Sequence, residues 1–183
     1  VAGDLLVVAV GNSDADSSMG KAYPAGYSKR VCAVGATFLT GNRWRDEEVD
    51  PGRITGLGSS IGSWLDLMAP GGALVVAPRF GPDGYFDLGS CDITNQCASG
   101  FGGTSSAAPV VSGVAALLKS SNPSLTGEDM EEIMKRTAQQ DPLFFQYNVI
   151  YGYGIVRADR ALNYISRRQR RGEVDPQLCP VAI

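Results

Sequence analysis

Two residues lying far apart in this chain of 183 residues have the type and setting for acyl-transfer chemistry. Ser105 sits inside Gly100-Phe101-Gly102-Gly103-Thr104-Ser105-Ser106-Ala107-Ala108-Pro109-Val110-Val111-Ser112-Gly113-Val114-Ala115-Ala116-Leu117-Leu118, a glycine-rich loop that becomes a run of small and apolar residues. A hydroxyl at the point where loop turns into helix lies beside unpaired first-turn N–H groups and the positive end of the helix dipole. Small neighbours let another group approach it, so the position suits a nucleophile next to an oxyanion site. It equally suits a plain N-cap by Thr104 or Ser105, with the glycines as a turn. Asn12 ends the apolar run Leu5 to Val10. It therefore stands at the carboxyl end of a strand, the edge where open α/β sheets place ligands. A simple turn residue is the alternative.

The elements that must position these residues are legible from pattern. Leu5-Leu6-Val7-Val8-Ala9-Val10 and Val31-Cys32-Ala33-Val34-Gly35-Ala36 are continuous apolar runs, as expected of parallel strands buried on both faces. Trp64 to Met68 reads as a further strand ending at Ala69-Pro70-Gly71-Gly72, and Leu74 to Ala77 as another. The Gly100–Leu118 run predicts a helix apolar on nearly every side, hence a buried central helix. Pro109 is compatible with its first turn, where N–H groups have no intrahelical acceptor. Thr126-Gly127-Glu128-Asp129 starts a second helix, with Met130, Ile133 and Met134 as its buried stripe up to about Thr137. Thr40 to Asp50 reads as an exposed loop with solvated charges. Gly58-Ser59-Ser60-Ile61-Gly62 matches Gly-x-Ser-x-Gly by letter only, because no strand–turn–helix surrounds it.

Composition sets the limits. The chain is 44% hydrophobic and 19% charged with net charge −3, an ordinary globular balance that gives no argument for nucleic acid. No apolar run approaches the length of a membrane span. Cys91 and Cys97 enclose five residues. With neither a second pair nor a histidine to complete a zinc site, a disulfide in an oxidising compartment is the better reading. Cys32 reads as a small buried hydrophobe and Cys179 as a tail residue.

The string Gly-Thr-Ser-x-Ala-x-Pro-x-Val-x-Gly from Gly103 to Gly113 resembles the nucleophile motif of the subtilases, the subtilisin-like serine proteases. Ala9-Val10-Gly11-Asn12 resembles the segment that supplies their oxyanion asparagine. The turn Tyr23 to Tyr27 with Val31 to Ala36, the strand Leu65 to Gly71, and Tyr151 to Leu162 also match in family order, with Arg157 where the family often has Asn or Asp. The resemblance implies an α/β fold, mainly a parallel sheet with helices on both faces, here its C-terminal half, over residues 1–166, followed by a basic, Pro-containing tail, 167–183. It implies Ser105 as nucleophile and Asn12 as oxyanion donor. Ala9, Val10, Gly11, Ala22, Tyr23, Gly103 and Thr104 would line the substrate site, with Ala22 near the floor of an uncharged pocket. Catalysis would need no cofactor. In some members the position of Asp66 helps hold a cation, so a structural calcium or monovalent cation is an expectation there, beside a hydrogen bond to backbone N–H groups.

The family mechanism also needs a histidine and an aspartate that precede the oxyanion asparagine. This chain contains no histidine. Lys119 shares the helix of Ser105 but lies about 21 Å further along at 1.5 Å per residue, and Lys21 and Lys29 fall in loops. The expectation is therefore a serine endopeptidase acting on polypeptides, secreted, whose Asp and His reside in an N-terminal portion, and which is inactive as this chain alone. The alternatives are a non-catalytic binding module and one subunit of a split protease.

Overall fold

The computed structural model describes residues 4–14, 23–27, 31–45, 57–71, 102–140 and 147–170. Ala22, Lys21, Lys29, Leu74 to Ala77, Cys91, Cys97, Cys179, the charges Asp46 to Asp50 and the tail beyond Arg170 lie outside them.

Among the described residues three strands, β1 (Val7–Ala9), β2 (Cys32–Thr37) and β3 (Leu67–Pro70), form a parallel sheet in the order β1-β2-β3. Val7 pairs with Cys32, and Val34 with Leu67. Among the described residues three helices follow: α1 (Thr104–Ser121), α2 (Gly127–Thr137) and α3 (Ala158–Arg170). The period of two in the strands sorts their side chains onto two faces. Cys32, Val34, Ala36, Leu67 and Ala69 pack with Ala107, Val111, Val114 and Leu118 of α1 and with Met130, Ile133 and Met134 of α2. Val10, Ala33 and Met68 point the other way, against Trp64, Leu65 and the partly buried Tyr151 and Ile155. The described helices thus cover one face, and loop residues cover the other.

Local signals behave as their chemistry requires. Thr126 caps α2 by accepting from the Asp129 N–H, and the Asp129 carboxylate accepts from the Thr126 N–H at 2.8 Å, a capping box worth about 1 kcal/mol. Met130, Ile133 and Met134 are all buried beneath it. Helix α3 runs to Arg170, past the boundary that the sequence suggests at residue 166.

The structure departs from the sequence reading in four places. First, β1 is half-buried and Leu6 is 53% exposed, because no described strand pairs with its outer edge. Second, α1 is not buried all round. Pro109, Ser112, Gly113, Ala116 and Leu117 form an exposed stripe, and nothing lies within 4 Å of where a Cβ on Gly113 would be. The apolar pattern counted side chains, whereas burial needs a neighbour on each side. Third, Pro109 lies inside the helix, not in its first turn. Having no N–H, it leaves the Ser105 carbonyl without its partner four residues on. Fourth, the charges of the 40–45 loop are not merely solvated: Arg43 and Arg45 both pair with Asp14.

Candidate active site

Asn12 and Ser105 are brought together by Thr104. The Asn12 carbonyl oxygen Oδ1 accepts from the Thr104 N–H at 2.9 Å and from the Thr104 hydroxyl at 2.8 Å. The same hydroxyl accepts from the Gly11 N–H at 3.2 Å. With donors on Oδ1 from both Thr104 groups, the orientation of the amide is fixed: its NH2 must point away from Thr104. A hydroxyl at a helix start is commonly a cap. Here the N-cap is Gly103, no side chain caps the helix, and the Thr104 hydroxyl turns to Asn12 instead. Ser105 is exposed, and its side chain makes no hydrogen bond among the described residues. It stands at the second residue of α1, where a backbone N–H has no intrahelical acceptor.

Close approach explains the glycines. A Cβ on Gly103 would stand 2.9 Å from both Nδ2 and Oδ1 of Asn12, and its φ of 76° is disfavoured for other residues. On the other side, the Gly103 N–H donates to the Gly71 carbonyl at 2.7 Å. A Cβ on Gly71 would meet the Gly103 carbonyl oxygen at 2.5 Å. The Ser106 hydroxyl donates to Gly103 O at 2.8 Å and reaches Gly71 O at 3.1 Å. The turn after β3 therefore grips the loop that presents Ser105.

The backbone of Asn12 is held from its other flank. The Gly58 N–H donates to Asn12 O, the Asp14 N–H to Gly58 O, and the Ser60 N–H to Gly11 O, each at 2.9–3.0 Å. Asp14, with φ 50°, takes Arg45 Nη2 at 2.8 Å and pairs with Arg43. Read along the chain, this clamp shows only as an acid near Asn12 and two arginines in a loop. Ser60, the middle serine of the Gly58–Gly62 string, is buried against the Ser13 hydroxyl and precedes no helix. Its resemblance to a nucleophile motif is coincidental.

Of the other residues expected at the site, Ala9 and Val10 lie at the end of β1 and just beyond it, and Val10 is fully buried. Tyr23 is 64% exposed, with its ring 4.8 Å from that of Tyr27. Lys119 donates to the Leu125 carbonyl at 2.6 Å, at the opposite end of α1 from Ser105.

Asp66, immediately before β3, is 7% exposed. Its Oδ2 accepts from the Ala33 N–H at 2.8 Å. Its Oδ1 takes the Lys135 ammonium at 2.7 Å, and that ammonium also holds Glu131 Oε1 at 2.6 Å. Burial works against the Lys135 charge, but the Asp66 and Glu131 carboxylates outweigh it and hold its pKa above the usual lysine range. Burial first, then the Asp66 and Glu131 carboxylates, push the Cys32 thiol well above its ordinary value. The donor set does not suit calcium, which takes about 6–8 oxygens. Both Asp66 oxygens are engaged, and the Pro24 carbonyl of the earlier turn accepts from the Tyr27 N–H at 3.0 Å.

Residues 2–154 match the model of the subtilase family, so the chain belongs to that family. It is 34% identical over 159 residues to the M-protease of Shouchella clausii and 33% to subtilisin Savinase of Lederbergia lenta, covering 87% of this chain but 33% and 46% of those proteins. A calcium-dependent protease of a Nostoc species is 40% identical over 95 residues. Among solved structures, a lanthipeptide protease superposes with a TM-score of 0.64 at 24% identity, and a protease of Pseudoalteromonas arctica with 0.58 at 28%. The chain covers 88% of itself in each superposition and 50% and 43% of those structures. It thus spans about half or less of the proteins it matches. The fold is that of a subtilisin-like α/β domain in part.

Proposed function

We propose that the chain carries the nucleophile and oxyanion half of a serine endopeptidase that hydrolyses polypeptides through an acyl-enzyme. The observation that carries this reading is the Thr104 double hydrogen bond to Asn12 Oδ1, which frees the Asn12 NH2 beside the first turn of α1. In this reading Ser105 Oγ attacks the scissile carbonyl. A histidine outside this chain takes the hydroxyl proton and an aspartate orients that histidine. The Asn12 NH2 and the Ser105 N–H donate to the oxyanion as it forms. The family resemblance puts Ala9, Gly11, Ala22, Tyr23, Gly103 and Thr104 along the substrate approach, while Val10 is fully buried in the core.

The missing base follows from composition: with no histidine, and with Lys119 committed to Leu125 O, the described residues offer no group to deprotonate Ser105. The exposed apolar stripe of α1, with Leu117 50% exposed, supports a further segment packing there. Secretion, a Cys91–Cys97 disulfide and a Pro-containing tail after Arg170 belong to the same proposal. So does a structural calcium or monovalent cation.

The test is reaction with a fluorophosphonate and turnover of casein. The chain alone should show neither, and the chain joined to an upstream segment carrying Asp and His should show both, lost in Ser105→Ala. Turnover by the chain alone that Ser105→Ala abolishes would mean that a base lies within it. A complete protein lacking that Asp and His, and inert to both probes, would be a binding module.

A further inference from the structure

A second cluster of reactive groups lies behind the sheet, apart from Ser105, and the peptidase reading does not use it. Cys32 of β2 is fully buried, and its thiol makes no hydrogen bond among the described residues. Its Sγ and one carboxylate oxygen each of Asp66 and Glu131 lie within 4.8 Å of one another. Between the two carboxylates stands the Lys135 ammonium, 2.7 and 2.6 Å from them and 5.0 Å from the centroid of the Tyr153 ring. These are the parts of a cation site: two anionic oxygen ligands, a soft ligand aimed inward, an aromatic wall, and a cation in the middle that belongs to the chain itself.

We propose that the Lys135 ammonium is the resident cation of this pocket, in place of a metal ion at Asp66, and that Cys32, Asp66 and Glu131 become a site for a thiophilic divalent cation, Zn2+ or Cd2+, once that ammonium is withdrawn. Charge makes the two states equivalent. Two carboxylates, one ammonium and a neutral thiol carry a formal −1. Two carboxylates, a thiolate and a divalent ion carry the same. On metal binding the Cys32 S–H proton is released to solvent and a metal–sulfur bond takes its place. Ligand chemistry selects the metal: a thiolate with carboxylates suits zinc-like ions, not calcium. Zinc–ligand distances of about 2.0–2.3 Å require the three ligand atoms to close in by up to about an ångström, a shift of side chains only. Lys135 reaches the pocket from the helix position four residues after Glu131, so the cation and one ligand arrive on a single turn of α2.

The experiment uses the complete protease. Cd2+ is titrated into wild type and into Lys135→Met, and the ultraviolet cadmium–thiolate band is read. Wild type should give no band from Cys32. Lys135→Met should give one that saturates at one equivalent and disappears in Lys135→Met with Cys32→Ser. A chelator should leave the alkylation rate of Cys32 in wild type unchanged. If Lys135→Met folds only when Cd2+ or Zn2+ is supplied, the metal has replaced the ammonium and the proposal stands. The variant Lys135→Met with Glu131→Gln buries one charge fewer and keeps the idea open to refutation: it should still bind Cd2+ through Cys32 and Asp66, at lower affinity. A Cys32 band in wild type equal to that of Lys135→Met overturns the proposal. So do a folded Lys135→Met, Glu131→Gln variant without any band and a chelator that exposes Cys32 in wild type. None of these readouts depends on peptidase activity.

Discussion

Replacing Thr104 by Val removes one hydroxyl at nearly constant shape, and the structure fixes what is lost. The Thr104 hydroxyl donates to Asn12 Oδ1 at 2.8 Å and accepts from the Gly11 N–H at 3.2 Å. The Thr104 N–H keeps its own bond to Oδ1 at 2.9 Å, so the Asn12 amide is loosened and not released. A hydrogen bond of this kind contributes a net ~0.5–1.5 kcal/mol. At about 1.4 kcal/mol per tenfold in rate, kcat should fall roughly two- to twelvefold with KM nearly unchanged. Loss of the amide donor itself costs more: about 2.7–4 kcal/mol in subtilisin, a member of this same family, for which the figure is already known. The assay is steady-state hydrolysis of a peptide substrate by the complete protease, with Thr104→Ser as the variant that restores the hydroxyl. Because Thr104 acts here through Asn12, a double-mutant cycle is decisive. In an Asn12→Ala background, Thr104→Val should cost almost nothing further. The same factor lost in both backgrounds would refute the positioning role, as would a Thr104→Val enzyme with full kcat.

Further expectations follow from the same geometry. Asn12→Ala should lower kcat by roughly a hundred- to a thousandfold with little change in KM, and a pure KM effect would count against it. Gly103→Ala places a methyl 2.9 Å from the Asn12 amide at φ 76°; a kcat loss on the order of a hundredfold with unchanged circular dichroism is expected, and near-normal kcat would show that the contact is slack. Stability should fall as pH rises above about 10, because Lys135 keeps its proton in the folded state to higher pH than its unfolded value of about 10.4. Tyr147, pushed up to about 12 by burial and then by the Asp66 carboxylate, acts in the same direction. Lys135→Arg, which keeps the charge but does not titrate, should remove about one proton from the alkaline slope of unfolding free energy, and an unchanged slope would exclude Lys135 as its source.

The candidate site was legible as a string and a strand end: Gly103, Thr104 and Ser105 open α1, Asn12 follows the strand-like run Leu5 to Val10, and the roles proposed for them rest on the resemblance of that string to the family motif. The capping box at Thr126 and the stripe of Met130, Ile133 and Met134 are equally local, so the sequence could specify them alone. Burial of α1 and β1 was read wrongly because it depends on what stands opposite. Val110 and Leu117 are apolar whether or not anything covers them.

The clusters that escaped notice share one property: their members are brought together only by the register of the sheet. Val34 pairs with Leu67, which sets Asp66 across from Ala33 and its N–H, with Cys32 beside it. Helix α2 then crosses this face with Glu131 and Lys135 one turn apart. An acid in an apolar strand announces that it needs a partner, since a buried charge is costly alone. It does not announce whether the partner is a backbone N–H, a metal or an ammonium. Here the Ala33 N–H and the Lys135 ammonium share the task. The same reasoning applies to Asp14, whose two arginines come from a loop about thirty residues on, where nothing in their own surroundings distinguishes them from solvated charges. Long-range ion pairs of this kind settle how rigidly Asn12 and the sheet are held, yet only the folded chain identifies their members.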